Sequence, residues 1–183
     1  MCIRDRYQTK ILVFFLIFNS FLFADVVIEV DISEQRLYVL DNNEIKASYP
    51  ISSSKYGEGS QENSFKTPLG AHEIKEKIGS DTKINNIFIS RINTKRSAEI
   101  IHDFIDSDDD FVTSRILWLD GLEEGINKGG SVDSYRRYIY IHGTHEEGLI
   151  GVKASHGCIR MFNYDVVELF DMVKIGTKVL IRS

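Results

Sequence analysis

Residues 138–160 read YIYIHGTHEEGLIGVKASHGCIR, and this stretch decides the fold. The run Tyr138-Ile139-Tyr140-Ile141 is apolar and rich in β-branched and aromatic residues, so it reads as a strand ending at His142-Gly143. A side chain at the end of a strand is held firmly, which suits His142 to proton transfer near neutral pH. Cys158 follows Gly157, where the backbone can turn tightly and leave amide hydrogens pointing outward. A thiol becomes a nucleophile when a base draws off its proton. The N–H groups of Gly157 or Cys158 are placed to hold an oxyanion.

Outward from this core the pattern stays mostly β. Downstream, Asn163 is expected to cap a helix with Val166, Val167, Phe170 and Val173 on its apolar face. Gly176 is expected to end that helix, and Thr177 to Ile181 forms a last strand. Upstream, Val26 to Val30, Leu37 to Leu40 and Ile45 to Ile51 read as a meander, with a turn at Asp41-Asn42-Asn43. Residues 52–65 are a loop, and Thr67-Pro68-Leu69-Gly70 is a turn into a strand from Ala71 to Ile78. His72 on that strand reads as structural or exposed. Ile116 to Leu119 is a further strand, on which Trp118 either fills the core or lines a groove. Residues 93–113 carry Asp106, Asp108, Asp109 and Asp110 and read as a solvated loop or short helix, since like charges in a block stay in water. That cluster lacks the glycine and terminal glutamate of a calcium loop.

The 183 residues suit one domain behind a targeting segment. Arg4, Arg6 and Lys10 precede an apolar run from Ile11 to Phe23, and Ala24 follows, so residues 1–24 read as a secretory signal and 25–183 as the exported domain. The net charge of −5, with no Lys/Arg stripe to offset it, argues against a nucleic-acid partner. Removing the signal removes Cys2 and leaves Cys158 as an odd thiol with no disulfide partner. Taken alone, such a cysteine is more often a small buried hydrophobe than a nucleophile. His142, His145, His156 and Cys158 match no common zinc spacing, and a zinc-bound thiolate is a poor nucleophile, so no metal is expected. His145 reads as a surface or pocket-rim residue, and Tyr138 and Tyr140 as strand packing.

His142-Gly143-Thr144 followed by Ser155-His156-Gly157-Cys158-Ile159-Arg160-Met161 resembles the catalytic signature of the L,D-transpeptidase (YkuD-like) family. Asp31 to Val39, Tyr49-Pro50-Ile51-Ser52 and Thr67-Pro68-Leu69-Gly70 are similar to its other landmarks, so the resemblance covers residues 25–182. Residues 93–115 match nothing in the family pattern. The resemblance implies a mostly β fold, a sandwich or flattened barrel of mixed strands with one helix after the cysteine loop. It implies Cys158 as nucleophile, His142 as base and the Gly143 backbone as the acceptor that orients the imidazole. Thr144, Ser155, His156 and Gly157 would support or shape the pocket, and Arg160 would pair with a carboxylate of substrate or protein. The implied activity is 3→3 crosslinking of peptidoglycan stem peptides through a thioester with release of D-Ala, by a cofactor-free monomer. Carbapenems are expected to acylate Cys158. An L,D-carboxypeptidase and an enzyme attaching lipoproteins to the wall would use the same residues. A cell-wall binding module without turnover would not need both Cys158 and His142.

Overall fold

The computed structural model describes residues 26–183, so the segment 1–24, expected to be a secretory signal, lies outside the described residues. The chain opens with three strands joined by tight turns: β1 (Val27–Asp31), β2 (Arg36–Asp41) and β3 (Glu44–Pro50), paired antiparallel as a meander. The β2–β3 turn is made by Asn42 and Asn43, both at positive φ (51° and 62°), the left-handed geometry a two-residue hairpin needs and asparagine tolerates. β4 (Gly70–Ile78) follows the long loop, and β5 (Asn86–Ile89) and β6 (Ile92–Ser97) form a second hairpin. Then come β7 (Val112–Gly121), β8 (Tyr140–Thr144), β9 (Ile159–Met161), helix α1 (Asn163–Met172) and β10 (Lys178–Arg182).

All ten strands belong to one sheet, ordered β3-β2-β1-β10-β4-β7-β5-β6, with β8 joining β7 to β9. The sheet is mixed: β1 runs parallel to β10 and β8 parallel to β9, while the other pairs are antiparallel. The mostly β fold of mixed strands with one helix after the cysteine loop is the architecture expected from the sequence. The strand path does not close into a barrel among the described residues.

Strand side chains alternate between faces, and here the alternation separates a core from a site. From β7, Leu117 and Leu119 enter the main core, as do Ile141 of β8 and Ile159 and Met161 of β9. Val166, Leu169 and Phe170 of α1 cover that core. The residues between them, Ile116, Trp118 and Tyr140, point to the opposite face and pack with Phe88, with Cys158 against their edge. Trp118 is 6% exposed and stacks on Tyr135 with ring centroids 4.1 Å apart.

Three local expectations change. Asn163 is the first residue of α1 and does not cap it by its own side chain; the Glu147 carboxylate accepts its N–H at 2.9 Å. A carboxylate at a helix N-terminus meets both the free N–H groups and the positive end of the helix dipole. The Asn163 amide instead accepts the Thr113 and Ser114 hydroxyls, both at 2.6 Å, and donates to the Thr144 carbonyl at 2.7 Å. The helix ends at Met172, and Gly176 belongs to the turn before β10. Residues 93–113 are neither one loop nor a helix. Their first part is β6, and residues 98–111 form an irregular strap that returns to β7.

Leu169 is fully buried between α1 and the sheet. Leu169→Ala should cost about 2–5 kcal/mol, the range for a core leucine that leaves a cavity, read from urea melts as a lower midpoint at unchanged slope.

Candidate active site

The parallel pairing of β8 and β9 sets Ile141 opposite Ile159, His142 opposite Arg160 and Gly143 opposite Met161. Cys158 therefore stands level with Tyr140, two residues before His142 along the strand pair and so on the same face of the sheet. Two contacts fix this level: the Tyr140 N–H donates to Cys158 Sγ at 3.3 Å, and the thiol donates to the Tyr138 carbonyl at 3.3 Å. Tyr138 is not the strand residue expected. It precedes β8 with φ 59°, is 51% exposed, and turns its carbonyl to the thiol.

Burial pushes the Cys158 thiol up to about 12, an effect to which the Asp110 charge adds and which the Tyr140 N–H, Arg160 and Arg137 oppose. The resting group is a protonated thiol. His142 is 2% exposed, and burial lowers its pKa to about 4 against the opposing pull of Asp110 and of its bond to Gly143. Its Nδ1 lies 2.7 Å from the Gly143 carbonyl. A carbonyl only accepts, so Nδ1 carries the proton and Nε2 keeps its lone pair. The site thus holds a neutral thiol and a neutral imidazole whose basic nitrogen is the one not bound to Gly143. Gly143 is needed as glycine: a Cβ there would stand 2.6 Å from Asn163 Oδ1 and 2.9 Å from the Thr113 carbonyl.

The cysteine turn is held from two directions. Gly157 has φ +120°, a conformation that side chains rarely adopt. The Ser155 hydroxyl donates to the Cys158 carbonyl at 2.6 Å and accepts the Gly157 N–H at 3.3 Å. From the facing loop, Ser53 accepts the N–H groups of Ala154 and Ser155, and Ser52 exchanges both backbone bonds with Arg160. The Thr67 hydroxyl donates to the Gly157 carbonyl at 3.0 Å.

Arg160 is 1% exposed, and its carboxylates belong to the protein. Nη1 donates to Glu146 Oε2 at 2.8 Å, and Nη2 lies 2.6 Å from Asp110 Oδ1 as an ion pair without hydrogen-bond alignment. Asp110 Oδ2 also takes His156 Nδ1 at 2.8 Å. Burial pushes Asp110 up, but the Arg160 guanidinium and the histidine contacts hold it below the ordinary carboxylate range. Thr144 acts at one remove, its hydroxyl accepting the Glu146 N–H at 3.1 Å. His145 is not on the surface: it is 4% exposed, packs on Phe111 at 4.7 Å and meets the Ser107 hydroxyl at 3.1 Å.

Cys158, His142, Gly143, Ser155, Gly157, Arg160 and His156 are thus brought together. Sequence reasoning missed Asp110 and Glu146. The available signal for Asp110 was its place at the end of the acidic run, directly before the apolar start of β7. Two pockets flank Tyr138. One is lined by Asn63, Phe65, Arg137 and His156, the other by Arg91, Trp118 and Tyr135, and Glu62 and Arg136 border both.

Two outcomes follow from this electrostatic arrangement. Between pH 6.5 and about 4 an unfolded imidazole binds a proton that folded His142 refuses, so stability falls as pH drops through that window, by roughly 3 kcal/mol. In His142→Gln that share is gone, and urea midpoints at pH 7 and pH 4.5 should lie closer together than in the parent. Arg160→Met strands the buried Glu146 carboxylate and should cost about 3–5 kcal/mol. Lys46→Met, which breaks an exposed pair with Glu44, should cost under about 1 kcal/mol in the same melts.

Comparison with known proteins agrees with this geometry. The Bacillus subtilis protein YqjB is 54% identical over 43 residues, 24% of this chain and 24% of its own length. YkuD of Bacillus subtilis is 43% identical over 61 residues, 31% of this chain and 37% of its own. The matched stretches thus span well under half of these relatives. Among solved structures, L,D-transpeptidase 3 from Mycobacterium tuberculosis, in complex with a faropenem-derived adduct, superposes with a TM-score of 0.55 at 18% identity. That match covers 87% of this chain and 61% of the other, and it establishes the shared fold. The family described as the L,D-transpeptidase catalytic domain, YkuD, matches residues 25–181, and the chain belongs to it.

Proposed function

We propose that the chain is a cysteine-dependent L,D-transpeptidase that forms 3→3 crosslinks between peptidoglycan stem peptides. The observation that carries this reading is the neutral His142, with Nδ1 tied to the Gly143 carbonyl and Nε2 left basic, on the sheet face it shares with Cys158. Family membership supplies the reaction class. In the reaction, Cys158 Sγ attacks the carbonyl carbon of the third stem residue while its proton passes to His142 Nε2. The oxyanion that forms is held by the Cys158 N–H, since the Gly157 N–H already donates to the Ser155 hydroxyl. Collapse breaks the peptide bond, the proton moves from His142 to the departing D-Ala amine, and a thioester remains. The side-chain amine of a diaminopimelate on a second stem then attacks the thioester. His142 takes the surplus proton and returns it to the leaving thiolate.

A neutral starting pair suits this order of events. The thiol loses its proton only as the new bond forms, so no thiolate waits exposed between turnovers. The reading also includes export directed by residues 1–24, action as a monomer without a cofactor, and acylation of Cys158 by carbapenems. The solved structure of the L,D-transpeptidase LdtMt1 in complex with imipenem, a carbapenem, supports the last.

Mass spectrometry of products from disaccharide-tetrapeptides tests the reaction. Crosslinked dimers lacking one D-Ala are expected with the parent protein and not with Cys158→Ala, a loss of at least about a thousandfold in rate. Tripeptides alone would assign the chain to the carboxypeptidases, with water as acceptor. Unchanged substrate in both samples would set the reaction aside.

A further inference from the structure

Asp110 stands where the carboxylate of a ligand would stand. Its two oxygens face Arg160 Nη2 at 2.6 Å and His156 Nδ1 at 2.8 Å. Its side chain is 34% exposed and the guanidinium beneath it 1%, so Asp110 stands between Arg160 and solvent. Glu146 does not saturate that guanidinium. Arg160 Nε and Nη2 are buried without a hydrogen-bond partner. Buried donors left so cost free energy until an acceptor of better geometry arrives.

The strap that carries Asp110 is anchored at Ile101, whose N–H donates to the His145 carbonyl at 2.8 Å and whose carbonyl accepts the Gly148 N–H at 2.9 Å. Residues 98–111 lie in no strand or helix. The Asp106–Lys55 pair is exposed, and such pairs contribute under about 1 kcal/mol. Ser107 adds hydrogen bonds to Glu146 and His145. Rotation of the Asp110 side chain alone uncovers Arg160 and His156 together.

The position also fits the reaction. Cys158 and Arg160 lie two residues apart on one face of the chain, about 7 Å along an extended strand. In a donor with one residue beyond the scissile carbonyl, the terminal carboxylate lies roughly 3.5 Å further along. The guanidinium and imidazole side chains span the remaining distance.

We propose that Arg160 and His156 form a binding site for the free C-terminal carboxylate of the donor peptide, and that Asp110 occupies this site in the absence of substrate and is displaced by it. The inference rests on the reading of the chain as a peptide acyltransferase. It adds a residue outside the signature motif that sets how readily the donor enters.

The test is an NMR titration of the Cys158→Ala protein, alone and combined with Asp110→Asn or Asp108→Asn. The probes are N-acetyl-D-alanine, its C-terminal amide, and the stem tetrapeptide. N-acetyl-D-alanine should bind the Asp110→Asn protein about tenfold more tightly than the parent, since the competitor is gone. The amide should bind both alike. Asp108→Asn removes the same charge from the same strap without touching Arg160 and should match the parent. Equal affinity of N-acetyl-D-alanine for the parent and Asp110→Asn proteins overturns the proposal. So does an equal gain for the amide or for Asp108→Asn, or no binding to any form. Asp110→Ser provides the same comparison if the asparagine protein melts early. A tetrapeptide that fails to bind where N-acetyl-D-alanine shows the Asp110 dependence removes the stem-peptide reading and leaves the carboxylate site standing.

Discussion

The parallel register between β8 and β9 is the constraint on which the rest of the molecule depends. Because side chains alternate, the residues that seal the core and those that form the site are interleaved along the same two strands. Ile141, Ile159 and Met161 are locked beneath α1, so His142, Cys158 and Arg160 are presented on the other side. A slip of one residue would send Cys158 and His142 into the hydrophobic interior and turn isoleucines toward the cleft. The core thus fixes the site, and the site's precision costs no separate scaffold. The cysteine turn lies outside the ladder, and residues 52–67 brace it through backbone bonds to Ala154, Ser155 and Arg160.

Charge at the site is organised around the buried guanidinium of Arg160. Arg160 meets Glu146 on its inner side and Asp110 on its outer side, and both reach it from other parts of the chain. The two ionisable groups of the reaction sit nearby as neutral species, which burial favours for both. Thiolate and imidazolium would each be costly in this environment, so the reaction is arranged to create charge only where backbone donors can meet it.

Much of this was legible in the sequence because it rests on local pattern. The meander, the strands before His142 and after Cys158, and the helix beyond follow from periodicity and turn residues. The role of Gly143 as acceptor for the imidazole came from the family resemblance, and the 2.7 Å contact agrees with it. What was not legible depends on contacts distant in sequence. Asp110 and Arg160 are ordinary charges until folding brings the strap over the cleft, and only its place at the end of the acidic run sets Asp110 apart from the other three aspartates. Likewise, Asn163 has the composition of a cap, yet two hydroxyls of β7 and a carbonyl of β8 compete for its amide and win. His145 appeared superficial because the aromatic ring that covers it, Phe111, arrives from the same unplaced segment.

The placement of β10 has a consequence for how the molecule is made. It is the last strand among the described residues, yet it lies between β1 and β4, parallel to β1 and antiparallel to β4. Until residues 178–182 emerge, the first three strands have no link to the remainder of the sheet, and two hydrogen-bonding edges stand open. Contacts of such sequence separation form slowly, and open edges invite pairing with other chains. A nascent or clipped chain short of β10 is therefore a pair of sticky half-sheets, and the arrival of residues 178–182 is the event that commits it to one structure.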